Sequence, residues 1–307
     1  MSDGDYGEAA AAGGSLTRAL SLFGRRHNIA PFVLVAPVVV FLAFVLLLPI
    51  AVMAEMSFYQ RGQAGTIVKV MSFANYVTFL KEPAYLKVLG NSALIGALVC
   101  AITVALAFVP AAVLGLTRSR VKNILFLLIL IPFWTSFIVR TYAWIVLLGT
   151  NGVLNGAMRS FGLVDAPVSM LYSRGAVILG LVHAMIPFAI VPIYASIERI
   201  DDSVLEAAAT LGARPLSIFA EVIVPLSLPG IWAAGILVFI EAMGAFITPQ
   251  LLGSASDMMI AQLVQERFIG SFDWPFGSAV AVIYLIFSGV AFAALFAGRQ
   301  AISGLAR

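Results

Sequence analysis

The sequence predicts an all-α membrane protein that crosses the bilayer six times. Hydrophobic residues fill 62% of 307 positions and charged residues only 11%, against about 25% charged in soluble domains. The apolar positions gather into six runs, each near the roughly 20 residues that a spanning helix needs. None of the runs alternates with a period of two, as a barrel strand would, so helices are the solution that satisfies the backbone in lipid.

Residues 1–29 form a polar leading tail. It is too long and polar for a cleaved signal peptide, and the apolar run after it is too long for such a peptide's core. Met1–Gly14 is small, acidic and of disordered composition. Ser15–Phe23, SLTRALSLF, reads equally as a short interfacial helix or an unstructured tail. The transmembrane domain covers residues 30–298, with expected spans Ala30–Met56, Leu86–Leu116, Ile124–Gly149, Gly175–Ile197, Pro229–Leu252 and Phe276–Gly298. A short tail, 299–307, follows.

Six spans put both termini on one side. With the N-terminus cytoplasmic, ten of the 18 Lys and Arg residues fall inside and seven outside. Arg25 and Arg26 flank the first span, and Arg118, Arg120 and Lys122 crowd one short loop. The positive-inside rule weighs such positions most. The net charge of +3 thus reflects topology, with no basic stripe for nucleic acid.

The outer loops carry an amphipathic run, Ser72–Leu80, and turn chemistry over Thr150–Arg174 that suits a short re-entrant or surface helix. Between the fourth and fifth spans lies the longest inner loop, residues 198–228. Two short helical runs are expected there, Ser203–Leu211 and Pro215–Val224, joined at Gly212 in a left-handed turn with proline starting the second. Asp202 or Ser203 is the expected N-cap, and Glu206 would complete a capping box with Ser203. Ala207, Ala208 and Ala209 follow Glu206, leaving a smooth knob with one charge at its edge.

Catalytic motifs are scarce. The sequence has two histidines, His27 and His183, and one cysteine, Cys100, inside the second span. No paired His/Cys ligands suggest a metal site, no GxSxG elbow suggests a hydrolase, and no GxxxxGK[ST] loop cradles phosphates. No catalytic or metal residues are expected, and no cofactor of this chain's own.

Polar groups within the spans need explanation. Arg140 lies about two-thirds along the third span, where an arginine costs roughly 2.5–3.5 kcal/mol on insertion scales. Glu241 is expected near the middle of the fifth span. At about 1.5 Å per residue the two differ in depth by only about 6 Å, so they are expected to pair or to line one polar path. His183 reads as an interhelical histidine or a pathway residue. Trp134, Tyr142 and Trp144 offer aromatic faces to a cation, or anchor span ends at the interface. Pro132, Pro187 and Pro192 interrupt helical hydrogen bonding, and Gly235, Gly244, Gly277 and Gly289 allow close helix contact.

The stretch EAAATLGARPLSIFAEVIVPLSLP, Glu206–Pro229, resembles the EAA loop of type I ATP-binding-cassette importer permeases: EAA, three residues, Gly-Ala, then a hydrophobic run ending near Leu-Pro. Three further stretches are similar to the polyamine subgroup: Ile131–Asn155, Ile186–Asp201 and Asp273–Ala279. The chain departs from that subgroup at Ala245, where many relatives are acidic, with Glu241 four residues earlier, and at Leu252-Gly253-Ser254 in place of Leu-Gly-Gly.

The resemblance implies the type I permease fold in a bacterial inner membrane, with a cytoplasmic coupling helix over 203–213. Glu206, Ala207, Ala208, Gly212 and Ala213 would contact an ATPase dimer that uses ATP and Mg²⁺. A second, related permease chain and a periplasmic substrate-binding protein would complete the assembly, working by alternating access. The implied cargo is putrescine or spermidine, with amino-acid derivatives or phosphonates as alternatives. An ion-coupled secondary transporter is the rival class. It would use Glu241 but leave the EAA knob without purpose, and no inverted repeat of the kind such carriers often show is evident.

Overall fold

The structure is a computed structural model that describes residues 29–117, 119 and 121–305. The Ser15–Phe23 segment, Arg25, Arg26, Arg118, Arg120 and Arg307 lie outside the described residues. Six described segments are long and apolar enough to cross a membrane, the third of them running Phe137–Ser160.

The chain divides into two bodies, up to Glu55 and from Met56. The first contributes helix α1, Ile29–Met56. It is apolar on every side, as a helix surrounded by lipid must be.

The second body opens with a two-stranded hairpin, β1 (Gln60–Arg61) and β2 (Ile67–Val68), paired antiparallel. The amphipathic run becomes α2, Ala74–Lys81, which buries Phe79. Three long helices then make the core: α3 (Pro83–Leu116), α7 (Arg174–Ile197) and α9 (Pro215–Met243). Ile95 and Val99 of α3, Leu181 and Ile193 of α7, and Ala234 and Val238 of α9 are all fully excluded from solvent. Helix α7 is the most deeply enclosed of the spans and runs unbroken through Pro187 and Pro192. A smaller cluster joins Phe79 to Ile260, Leu263, Phe276 and Val280.

Two spans depart from expectation. The third is broken: α4 runs Val121–Trp134 and α5 runs Phe137–Leu148. Pro132 withdraws one helical donor, and both the amide and the hydroxyl of Thr135 turn back to the Pro132 carbonyl. That ends α4 and leaves Ser136 extended before α5. The fifth is displaced and also broken. Helix α9 begins at Pro215, so the second helical run does not stop at Val224, and it ends at Met243; α10, Ile247–Leu252, is separate. A continuous helix would set the Pro249 ring against the Ala245 carbonyl. Placed as the third residue of α10, the same proline costs nothing.

The surface helix expected within 150–174 is α6, Val153–Ser160. Asn155 is buried there and grips Gly149 and both backbone groups of Val168. Helix α8, Asp202–Thr210, precedes the Gly212 bend. Helix α11, Ile260–Gln265, continues as a π-helical turn over Glu266–Gly270, and α12 runs Trp274–Leu305. The last helix thus passes through most of the segment expected to be a tail, because nothing between Gly298 and Leu305 breaks it.

At the end of α7 remote from α8, Arg174 donates to Asp257 (3.0 Å) and to Asn91 (3.2 Å), while Asn91 donates to the Ser256 carbonyl (2.8 Å). This network clamps α3, α7 and the 253–259 loop. Arg61 similarly donates to the Ser271 carbonyl, holding the hairpin near the start of α12.

Two of the four glycines expected at close contacts, Gly244 and Gly277, are tightly packed, and Gly230, not among them, is tighter still. A Cβ on Gly230 would fall 2.5 Å from the Pro192 carbonyl oxygen and from Ser196 Cβ, whereas Gly289 has open space and Gly235 only ordinary contact. Gly230→Val should therefore lower the melting temperature of the detergent-solubilised protein by about 5 °C or more, reflecting about 1–3 kcal/mol of overpacking. Gly289→Val should leave it unchanged. Equal melting temperatures for the two variants would refute the close α7–α9 contact.

Candidate functional site

Both helix breaks open onto one cavity of about 380 Å³, whose lining includes Thr135, Phe137, Arg140, Phe188, Glu241 and Phe246. The convergence is a consequence of backbone chemistry. Each break frees carbonyl and amide groups, and at membrane depth these are tolerated only inside protein or along a water-filled space. Helices α5 and α10 are held side by side, with Thr141 and Thr248 hydroxyls 3.4 Å apart and buried. Gly180 of α7 meets Thr248 and Leu252 so closely that a Cβ there would fall within 2.8 Å of both.

Arg140 lies in the first turn of α5 and Glu241 in the last turn of α9. They share the cavity, as their similar depths suggest, but they do not form an ion pair among the described residues. The Arg140 guanidinium lies over the Phe137 ring, 5.7 Å from its centroid, and its Nε is buried without a hydrogen-bond partner. On the other wall, the Tyr284 hydroxyl would be 2.6 Å from a Cβ on Gly244, and Glu241 acts on Tyr284 electrostatically.

The aromatic candidates separate. Trp144 Nε1 donates to His183 Nδ1 at 3.3 Å, the rings meeting edge to face. His183 is therefore an acceptor at Nδ1, and the pair ties α5 to α7 beside the cavity. Trp134 and Tyr142 stand exposed outside its lining, at 80% and 54%. The residues that sequence reasoning missed are Phe133 and Phe188, whose rings pack 4.6 Å apart on the cavity wall. In so apolar a chain, no phenylalanine stands out by composition.

The second candidate site is the bend after α8. Asp201, not Asp202 or Ser203, is the N-cap; its carboxylate accepts from the Ser203 amide at 2.9 Å. Glu206 consequently lies beyond the first turn, and the expected capping box is not formed. Ala208 and Ala209 carbonyls accept from the amides of Ala213 and Gly212, the paired bonds of a Schellman end. Gly212 has φ +80°. Glu206, Ala207, Leu211 and Leu216 are exposed, the leucines at 88% and 79%, while Ala208 and Ala213 are half-buried. The bend thus presents two bare leucines that the sequence did not single out.

Behind it, Lys122 at the start of α4 donates to Glu198 at the end of α7 and lies 5.1 Å from the centre of the Tyr194 ring. The hydrogen bond to Glu198 raises the Lys122 pKa, keeping the ammonium charged.

Residues 88–300 match the family described as "Binding-protein-dependent transport system inner membrane component". The chain belongs to that family. Spermidine/putrescine transport system permease protein PotB of Escherichia coli (strain K12) is 35% identical over 260 residues, covering 84% of this chain and 93% of the relative. The protein of the same name from Haemophilus influenzae (strain ATCC 51907 / DSM 11121 / KW20 / Rd) is 35% identical over 248 residues, covering 81% and 86%. Among solved structures, a chain of a bacterial alginate ABC transporter in complex with an alginate pentasaccharide-bound periplasmic protein superposes with a TM-score of 0.73 at 14% identity, covering 87% of this chain and 93% of that one. The last likeness concerns the fold alone.

This inner-membrane transport component is therefore a multi-pass permease subunit of an ABC importer, and the two sites are read in that setting. One is a polar cavity within the spans, the other a rigid bend with an apolar tip. The bend's rigidity rests on Gly212, where the left-handed backbone penalises any side chain although space is free. Gly212→Ala is expected to speed amide exchange at Gly212 and Ala213 about fivefold, for about 1 kcal/mol of strain. Unchanged exchange in a mass-spectrometric time course would show that the turn does not depend on the glycine.

Proposed function

We propose that this chain, with a second and related permease subunit, forms the membrane pathway of an importer for polyamines of the spermidine and putrescine class. One observation carries the reading. The cavity between the broken third and fifth spans sets a carboxylate, Glu241, beside the C-terminal end of α9, where backbone carbonyls make the field negative. Aromatic rings of Phe137, Phe188 and Phe246 line the same space. An alkylammonium is suited to this combination of charge, carbonyl dipoles and π-faces. Identity with the spermidine/putrescine permeases over most of the chain supports the same cargo class.

The remaining parts follow from the family setting. A periplasmic binding protein delivers the cargo at the face bearing the β-hairpin, α6 and the 253–275 segment. The α8 bend faces the cytoplasm, as do both termini, and seats in a groove on an ATPase dimer. ATP and Mg²⁺ act there, on the partner. Closure of that dimer moves the bend as a rigid body and biases the bundle between inward-open and outward-open states through differential contacts. Leu211 and Leu216 supply the apolar part of the contact, and Glu206 its charge.

A second reading has one observation in its favour. Arg140 on the cavity wall suits an anionic or zwitterionic cargo, such as an amino-acid derivative or a phosphonate. The two readings part in a binding measurement on the permease–ATPase complex in nanodiscs, without the binding protein. Putrescine should bind, and Glu241→Gln should weaken it about tenfold or more, the effect of one charge-assisted contact of about 1.5–3 kcal/mol. Binding of 2-aminoethylphosphonate that is indifferent to Glu241 would favour the alternative.

The coupling role is tested by copurification. Leu211→Asp and Glu206→Lys alter exposed side chains, so the permease should elute unchanged in size exclusion yet lose most of its bound ATPase. Full retention of the ATPase by both variants would move the contact elsewhere.

A further inference from the structure

The cavity holds two charges, and each sits at the wrong end of its helix. Arg140 is in the first turn of α5, where unpaired amides make the helix end positive. Glu241 is in the last turn of α9, one turn before the Gly244 break, where free carbonyls make it negative. Neither helix stabilises the charge it carries. Arg140 is further disfavoured by its depth among apolar spans and by a buried Nε without a partner. Among the described residues lining the cavity, Glu241 is the sole acidic group and Arg140 the sole basic one. Each is thus the nearest relief for the other, and the structure shows them apart, with the guanidinium resting on the Phe137 ring.

We infer that Arg140 is the resident cation of this pathway: it neutralises Glu241 when the cavity is empty and yields that carboxylate to the cargo's ammonium group. The inference rests on the polyamine reading given above and extends it to the empty state. The observed arrangement is the disengaged one, with Glu241 free for cargo and Arg140 parked on an aromatic face, an acceptable site for a guanidinium. In the exchange Glu241 trades one cationic partner for another, while the guanidinium stays in the cavity on the Phe137 ring. Monoamines and diamines compete with the same resident group, so Arg140 sets a threshold of affinity that cargo must exceed.

The other titratable groups that act on the pair are few. On α5 and α7, Arg140 reaches His183 electrostatically, and His183 is already engaged by Trp144. On α12, Tyr284 faces Glu241. These neutral partners leave Arg140 as the residue able to compensate Glu241.

The test is a double-mutant cycle read as putrescine affinity of the permease–ATPase complex in nanodiscs. Arg140→Gln removes the competitor and should tighten putrescine binding about tenfold, within the usual span of intramolecular coupling. Arg140→Lys keeps a competing cation and should stay near the parent affinity. In a Glu241→Gln background, Arg140→Gln should have no further effect. Weaker putrescine binding in Arg140→Gln, or the same shift in both backgrounds, would overturn the inference. So that poor assembly cannot obscure the answer, the charge-swapped pair Arg140→Glu with Glu241→Arg should recover complex yield lost in Arg140→Glu alone; no recovery counts against pairing. If Glu241→Gln by itself leaves putrescine affinity unchanged, the polyamine site at Glu241 fails. If Glu241→Gln weakens binding while Arg140→Gln changes nothing, only the resident-cation role fails.

Discussion

A backbone carbonyl or amide cannot be left bare against hydrocarbon, and this constraint organises the permease. Four of its long helices, α1, α3, α7 and α12, run without a break over 24 residues or more. The third and fifth spans do not, and their broken ends converge on a single cavity. The breaks could not face lipid without several kcal/mol per unsatisfied group. A helix pair interrupted at matching depth therefore marks where polar space lies within the bundle. The unbroken α7 stands between the two, packed against α3 and α9, and supplies the rigid wall on which the interrupted helices lean.

The same economy of motion appears at the other site. The α8 bend, proposed above as the contact with an ATPase, is fixed at both ends. Asp201 closes one end of the helix, Gly212 and the paired carbonyl bonds close the other, and Thr210 returns its hydroxyl to the Glu206 carbonyl at 2.8 Å. Within α9 the segment Ile218–Ile223 is π-helical, and the regular α-helix resumes at Val224. Phe219 of that segment packs edge to face on Phe108 of α3. The bend is thereby joined to α3 and α9 of the core within two helical turns.

Much of this was legible in the sequence because membrane solvation leaves few options. Hydropathy located four of the six spans, Gly212 and Pro215 located the bend, and the depth estimate brought Arg140 and Glu241 to one cavity. The breaks were less legible, since a length of apolar residues counts the same whether or not its helix is continuous. Pro249, four residues beyond Ala245, carried the signal for the fifth-span break, and Thr135 after Pro132 carried it for the third. Reading a proline back to the carbonyl it would strike, four residues earlier, would have found the first of these. The exposed Leu211 and Leu216 gave no signal, because an apolar side chain in such a composition points equally to lipid, core or partner. The N-cap fell one or two positions early because three adjacent side chains, Asp201, Asp202 and Ser203, can all cap a helix, and only geometry selects among them.

Mis-charged helix ends are uncommon because they are easily removed by substitution, so their presence needs a physical reason. A neutral residue at either position would relieve the local conflict and leave the packing of α5 and α9 intact, since neither side chain is part of the buried core. What substitution could not preserve is a cavity that is neutral in total and polar in detail. With both charges present, a cation entering on Glu241 finds a site whose field is already negative from the α9 carbonyls, while the guanidinium it frees moves toward an aromatic ring instead of lipid. On the proposed exchange, Glu241 passes from one cationic partner to another within a lining whose own two charges sum to zero.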